Sequence, residues 1–329
     1  MPPRVPALDR LRAVALVLML VHHFTKWLGG DPRAVVPGWD GFVVTDLAAP
    51  AFAVAAGASA LLFVEARLAR GVPPLHVAGT VVRRYALLIP MGMLLQWLFT
   101  SHVPFDWGVL QALGVGVVAS TLLTMLVRSP VWATALAVAA LVAGPMIEHA
   151  VDGRPDRLAD ILGGTFPVVT YLGFALVGAA GARFLARDPE RGRDALALGM
   201  VFAAASALLV LTGREPDRYS GDATFVVPGL AGTFLIYGVL DRWRALPRAV
   251  DGLLRRAGTH SLGIFLTHYV GSWGITRYGF RNAFSPRAAL LIAIVSTTLF
   301  TLVAPRIPAL PWSPRTGWNR QKRLASSAA

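Results

Sequence analysis

Ten apolar stretches follow one another along this chain of 329 residues, and each is close to the length of a membrane-spanning helix. A helix needs about 20 mostly apolar residues to cross the hydrocarbon core of a bilayer. The composition agrees, because 55% of the residues are hydrophobic and only 15% are charged. We therefore predict an all-α, polytopic integral membrane protein with about ten transmembrane helices, drawn from residues 11–28, 42–64, 82–100, 108–127, 131–149, 166–186, 195–212, 223–240, 260–276 and 288–304.

The positive charge of the chain is distributed unevenly between the segments that connect these stretches. The formal net charge is +13, and 22 of the 31 lysines and arginines fall on the cytoplasmic side if the spans alternate from a cytoplasmic N-terminus. This bias follows the positive-inside rule and predicts a multi-pass protein of the cell membrane with both termini in the cytoplasm. Residues 1–305 then form one transmembrane domain, and 306–329 form a basic, disordered tail. We expect that tail to bind anionic lipid headgroups. No nucleic-acid-binding motif accompanies it, so nucleic acid is not an expected partner.

Several kinds of chemistry are excluded by what the sequence lacks. Cysteine is absent, which rules out disulfide bonds, thiolate metal sites and a cysteine nucleophile. The sequence also lacks a Walker loop, a GxGxxG turn, an HExxH pair and a GxSxG elbow. We therefore expect no metal site, and the ionisable side chains within the apolar stretches are the remaining candidates for chemistry.

Arg12 and His23 lie on the first apolar stretch, eleven residues apart. Eleven residues make about three helical turns, so the two side chains share a face and are separated by roughly 16 Å along the axis. An ionisable group inside a span costs about 2.5–3.5 kcal/mol on insertion scales and usually faces a protein interior or a watery cavity. A neutral imidazole can take a proton from a hydroxyl or an amine. His23 is therefore a candidate general base; the alternative is a structural hydrogen bond between helices.

Two further residues complete the candidate catalytic group. His22 is turned by about 100° from His23 on a helix, and it is the second candidate base. Asp46 opens the second apolar stretch, on the side of the membrane that the predicted topology gives to His23. Its carboxylate could hold the tautomer of His23 and stabilise the imidazolium. Asp46 could equally cap the start of a helix, and the two roles are compatible.

Three arginines are candidates for binding a phosphorylated donor. Arg12 lies within the first span, three residues after Asp9. Arg83 and Arg84 begin the third apolar stretch, where the planar guanidinium fork would suit a phosphate. The alternative for Arg83 and Arg84 is simple anchoring at the cytoplasmic surface.

The candidate substrate-binding residues are His268, Gln111 and Trp107. His268 is a histidine in an apolar stretch, and an interhelical hydrogen bond is its alternative role. Trp107 and Gln111 lie in the segment FDWGVLQALG and could line an acceptor pocket. A tryptophan near a membrane boundary is also typical of the interfacial aromatic belt.

The order of these motifs resembles that of the transmembrane acyltransferases. The segment LDRLRAVALVLMLVHHF resembles their first span, in which an Arg and a His lie about three turns apart. The segment TDLAAPAFAVAAGASALLF resembles the second span of the heparan-alpha-glucosaminide N-acetyltransferase-like branch. Four more segments follow in the order that this superfamily shows: RRYALLIPMGMLL, FDWGVLQALGV, FPVVTYLGFALVGAAGAR and HSLGIFLTHYVG.

This resemblance implies an integral-membrane enzyme that moves an acyl group, commonly acetyl, from cytoplasmic acyl-CoA to a hydroxyl or amine of a sugar-like small-molecule acceptor. His23 and Arg12 match the family's first-span residues. Arg84 resembles the first Arg of the Arg-x-x-Arg motif of the acyltransferase 3 family, but its second position is Leu87 here. This departure favours the glucosaminide branch, whose luminal histidine has no counterpart in residues 25–41. His22 or His23 would then take the role of that luminal histidine.

The competing hypothesis is a transporter or flippase that uses the same buried His, Asp and Arg residues as a proton relay. Helices broken near the middle of the bilayer are typical of transporters. Glycine-bearing segments at 108–116 and 258–263 are the hints of such breaks. Binding or hydrolysis of acetyl-CoA separates the two hypotheses.

Overall fold

A computed structural model describes residues 5–38, 41–99, 107–152, 157–185, 190–217, 221–243 and 246–303. The predicted tail 306–329 lies outside these residues. The described chain folds into α-helices and short 3-10 turns. The helices are α1 (Pro6–Gly29), α2 (Ala48–Leu68), α3 (Pro74–Ala86), α4 (Leu88–Phe99), α5 (Val109–Leu126), α6 (Pro130–Val151), α7 (Arg157–Gly163), α8 (Val168–Leu185), α9 (Arg191–Leu211), α10 (Ala223–Arg242), α11 (Arg248–Thr259), α12 (Ser261–Arg277) and α13 (Pro286–Val303).

The predicted all-α polytopic membrane fold is confirmed. Within the described residues, nine helical segments are long and apolar enough to cross a membrane. They account for nine of the ten predicted stretches. The remaining stretch, 260–276, corresponds to α12, which has 17 residues and is shorter than those nine.

The third predicted span begins earlier than the apolar pattern indicates. The helical segment runs over Pro74–Leu98 and is interrupted at Leu87, between the end of α3 and the start of α4. Pro90 has no N–H to donate to the carbonyl of Ala86, which accounts for the break. Arg83 and Arg84 therefore lie in the last turn of α3, within the segment and not at its start.

The centre of the molecule is a close crossing of α2 and α8. A Cβ atom on Gly57 would collide with the backbone of Ala175, and one on Gly178 would collide with the backbone of Val54. Small residues let helices approach closely in a membrane, where hydrocarbon offers no hydrophobic drive between them. The two glycines thus set the separation of the helices at the core.

α1 packs against α2, α10, α11, α12 and α13, and its C-terminal end is held by the loop before α13. The last carbonyl groups of a helix have no partner within that helix. Here the amides of Asn282 and Phe284 donate to the carbonyls of Trp27 and Leu28, each at 3.0 Å. These bonds fix the end of α1 that carries the two histidines.

Candidate active site

The C-terminal half of α1 brings two histidines and a tryptophan to the interior of the helix bundle. His22 is buried, while His23 and Trp27 are half-buried. Consecutive residues on a helix point about 100° apart, so the two imidazoles meet different neighbours. His23 turns towards α12, and His22 turns towards the 3-10 turn Val44–Leu47 that precedes α2.

His23 contacts His268, which lies 245 residues further along the chain. Their Nδ1 and Nε2 atoms, respectively, are 2.9 Å apart. His268 is fully buried on α12, and its own Nδ1 lies against the carbonyl oxygen of Phe265. Trp27 stacks on the ring of His268 with a centroid separation of 5.7 Å, and its ring lies 5.1 Å from that of His23. These rings form a compact aromatic cluster with an imidazole pair at its centre.

His22 contacts the two polar residues that begin the second span. Its Nδ1 lies 2.9 Å from the hydroxyl of Thr45 and 3.7 Å from Oδ1 of Asp46. The other carboxylate oxygen of Asp46 accepts the Val43 amide at 2.9 Å. Asp46 therefore caps the 3-10 turn that precedes α2 and also faces a histidine. The structure places it beside His22, whereas we expected it beside His23.

Arg12 lies at the junction of α1 and α2. One of its terminal nitrogens is 3.2 Å from the carboxylate of Asp9, and the other donates to the hydroxyl of Ser59. Asp9 is 3% exposed, whereas the Arg12 side chain keeps 24% of its surface exposed. Asp9 and Ser59 thus hold the guanidinium in place, and part of the Arg12 side chain stays exposed.

Arg83 and Arg84 have surroundings that differ from those of Arg12. Arg83 is exposed, and the guanidinium of Arg84 lies 5.6 Å from the ring centroid of Tyr85. Arg12 lies on α1 and bonds Asp9 of α1 and Ser59 of α2. Arg84 lies on a different helix, α3.

Trp107 and Gln111 belong to the packing of α5. The indole N–H of Trp107 donates to the carbonyl of Phe166 at 2.9 Å. Gln111 is fully buried, and its side-chain oxygen occupies the space that a Cβ atom on Gly92 of α4 would need. These contacts tie α5 to α4 and to the segment that leads into α8.

Several partners of the candidate residues were not identified from the sequence, among them Thr45, Ser59 and the Phe265 carbonyl. Thr45 directly precedes Asp46, and Phe265 lies one turn before His268, so helical spacing could have indicated both. Ser59 lies among small residues of α2 and carries no such signal, because its role depends on how α1 crosses α2.

The comparison with protein families covers nearly the whole chain. Residues 5–304 match the model of an acyltransferase domain, and this range contains every candidate residue described above. The chain belongs to the acyltransferase 3 family. The predicted resemblance is thereby confirmed, and the protein is a multi-pass membrane acyltransferase by family membership.

A human member of the wider superfamily shows a more local similarity. Heparan-alpha-glucosaminide N-acetyltransferase from Homo sapiens is 32% identical over 138 residues, which is 40% of this chain and 20% of that protein. The match thus spans a fifth of the length of the human protein. It connects this acyltransferase 3 family chain with the branch that the second-span motif indicated.

Proposed function

We propose that this protein transfers an acyl group, most simply acetyl, from acyl-CoA to a hydroxyl or amine of a sugar-like acceptor. Membership of the acyltransferase 3 family supports acyl transfer. The name of the human relative supports acetyl as the group and an aminosugar as the acceptor class. The observation that carries the proposal is the imidazole pair of His23 and His268 within the bundle, in which His23 stays half-buried.

In the proposed reaction His23 acts as the general base. It removes the proton from the acceptor O–H or N–H while that oxygen or nitrogen forms a bond to the acyl carbon. The bond between the acyl carbon and sulfur breaks, and His23 returns its proton to the departing thiolate. His22, oriented by Thr45 and Asp46, is the second candidate for the same role.

The donor is held, in this proposal, through its phosphates by Arg12, Arg84 and Arg83. Guanidinium groups bind phosphate oxygens through paired, charge-assisted hydrogen bonds. Arg12 is the strongest of the three candidates because Asp9 and Ser59 already fix its position. Arg83 and Arg84 lie in the last turn of α3 and would contribute from a separate helix. We place the protein in the cytoplasmic membrane, with acyl-CoA supplied from the cytoplasm.

The absence of cysteine allows a direct assay of the purified protein. A thiol reagent detects the free CoA released from acetyl-CoA without any background from the protein itself. With glucosamine as the acceptor probe, the wild type should release CoA. His23→Ala should lower turnover by about 100-fold or more, as expected for loss of a general base. His149→Ala, at an exposed histidine of α6, is the matched control and should keep full activity.

Two results would contradict the proposal. If His22→Ala, His23→Ala and the double variant all keep wild-type turnover, neither histidine is the base. If saturating acetyl-CoA gives neither binding nor CoA release with the wild type, the transporter hypothesis replaces acyl transfer.

A further inference from the structure

We propose that His268 is a positioning residue that holds His23 in the tautomer whose Nε2 accepts the proton of the acceptor. The inference rests on the proposed function for its chemistry and deepens it. It also gives a function to the interhelical hydrogen bond, which the sequence left open for His268 beside substrate binding.

The argument starts at the carbonyl oxygen of Phe265. A carbonyl oxygen can only accept a hydrogen bond, so the Nδ1 of His268 that lies against it must carry the hydrogen. The two residues are three positions apart on α12, and this spacing places a side chain one turn from the carbonyl. The tautomer of His268 is therefore assigned by its own helix.

The protonation of His268 then determines that of His23. A neutral imidazole with hydrogen on Nδ1 has its lone pair on Nε2. This Nε2 lies 2.9 Å from Nδ1 of His23, so His23 must donate there and carry its own hydrogen on Nδ1. A charged His268 would instead donate from Nε2 to a lone pair on Nδ1 of His23, but it would place a cation at a fully buried position, which is costly. The lone pair of neutral His23 is thus on Nε2.

The surrounding structure holds the imidazole rings of His23 and His268 in a fixed relative orientation. The His23 and His268 rings have centroids 5.1 Å apart and planes inclined by 21°. Trp27 is nearly parallel to His268, at 14°, and follows His23 by one turn of α1. The carbonyl of Trp27 accepts the amide of Asn282, so the loop before α13 anchors this part of α1. The pair of His23 and His268 is therefore held in place through both α1 and α12.

The arrangement stabilises the imidazolium that forms on His23 while His268 stays neutral. Nε2 of His23 takes the proton from the substrate that accepts the acyl group. The Nδ1–H of the charged His23 then donates a charge-assisted hydrogen bond to the neutral Nε2 of His268. The bond strengthens as the acceptor O–H or N–H breaks, and it weakens again when His23 gives the proton to the thiolate. His268 keeps its own proton throughout.

Two substitutions of His268 separate this role from simple packing. His268→Leu fills the space but removes the nitrogen that accepts the hydrogen bond from His23. His268→Gln offers an amide oxygen to Nδ1 of His23 in its place. With acetyl-CoA and glucosamine as probes, His268→Leu should lower kcat by roughly 10–100-fold, the range seen when a partner that orients a functional imidazole is removed. The KM values of both probes should stay constant. His268→Gln should recover most of kcat, and His268→Leu should cost nothing further in a His23→Ala background.

A spectroscopic measurement tests the tautomer independently of activity. In protein labelled with 15N-histidine, NMR should show His23 protonated on Nδ1, its signal being identified by its loss in His23→Ala. His268→Leu should move that signal towards the Nε2–H form, while His149→Leu should leave it unchanged. If the wild type shows this tautomer but never releases CoA, the proposed function fails and the positioning role stands.

Three results would overturn the inference. One is a wild-type His23 protonated on Nε2. Another is a raised KM for glucosamine at unchanged kcat in His268→Leu, which would make His268 a substrate contact. The third is an equal loss of kcat in the Leu and Gln variants with a lowered Tm, which would show a packing role.

Discussion

At the scale of single residues, the candidate histidines, Asp46 and Arg12 are each held by a partner on another element or on the same helix. Arg12 illustrates the pattern, since Asp9 precedes it by one turn and Ser59 lies across the interface with α2. Holding both ends of the guanidinium reduces the side-chain entropy lost when a phosphate binds. This favours a binding role over simple anchoring.

Substitution of Arg12 tests that role. Arg12→Lys keeps the charge but loses the planar fork, so we expect KM for acetyl-CoA to rise by roughly 10-fold, the equivalent of one hydrogen bond to a charged group. The kcat should change little. The measurement is steady-state kinetics of CoA release.

Arg70→Lys is the matched control for Arg12→Lys, because Arg70 is exposed in the turn after α2 and donates to the nearby carbonyl of Ala66. An equal KM for the wild type and Arg12→Lys would remove Arg12 from the donor site.

The Asp46 carboxylate has two contacts, and one substitution separates them. Asp46→Asn keeps an oxygen for the Val43 amide but removes the negative charge beside His22. We expect the Tm to stay within a few degrees of the wild type. Turnover should fall only to the extent that His22 contributes, so Asp46→Asn should add no further loss to His22→Ala. Losses that add independently would show that Asp46 acts on the reaction through another residue.

At the scale of helices, the close crossings of the bundle position the site. α2 carries Ser59 in its middle and follows directly from the turn that holds Thr45 and Asp46. Its contact with α8 fixes where these groups stand relative to α1. Arg183 reinforces this contact, because it bonds Glu65 of α2 and also donates to the carbonyls of Thr124 and Val127, at the end of α5.

Two glycines of α8 provide a matched test of the crossing. Gly178→Ala would place a methyl group against the backbone of Val54, where no flexible side chain can move away. We expect a loss of about 1–3 kcal/mol in the free energy of unfolding, typical of overpacking. Gly181→Ala, one turn later, meets open space and should change the stability little. The measurement is the Tm of the two variants in detergent, and equal values would contradict the packing argument.

At the scale of the whole molecule, the orientation in the membrane remains a prediction from the distribution of positive charge. It places the loop after α2 in the cytoplasm and the loop after α9 outside. A chain without cysteine is suited to test this, since a single introduced thiol gives an unambiguous signal.

Labelling of intact cells with a membrane-impermeant maleimide is the test. Glu215→Cys, after α9, should react from outside, and Ala69→Cys, after α2, should react only once the membrane is opened. Both positions are exposed, so burial of the thiol does not confound the comparison. The reverse pattern would invert the topology and place the donor-binding arginines on the wrong side for cytoplasmic acyl-CoA.

The sequence alone determined the class of the molecule and the positions of most helices. Apolar length is a local property, and a helix satisfies its backbone hydrogen bonds within one segment, so each span can be inferred without knowledge of the others. The family resemblance depended likewise on short motifs in a fixed order. The start of the third span at Pro74 was missed because the first residues of α3 lie outside the apolar pattern.

Only the tertiary structure decided which side chains meet. His23 and His268 are 245 residues apart, and nothing in either segment indicates the other. Asp46 met His22 and not His23 because the 3-10 turn before α2 and the phase of α1 together set its direction. Contacts of this kind depend on how helices cross, which is governed by small residues such as Gly57 and Gly178 and by the loop that caps α1. A single sequence shows that polar groups lie within the membrane, whereas their pairing is a property of the packed bundle.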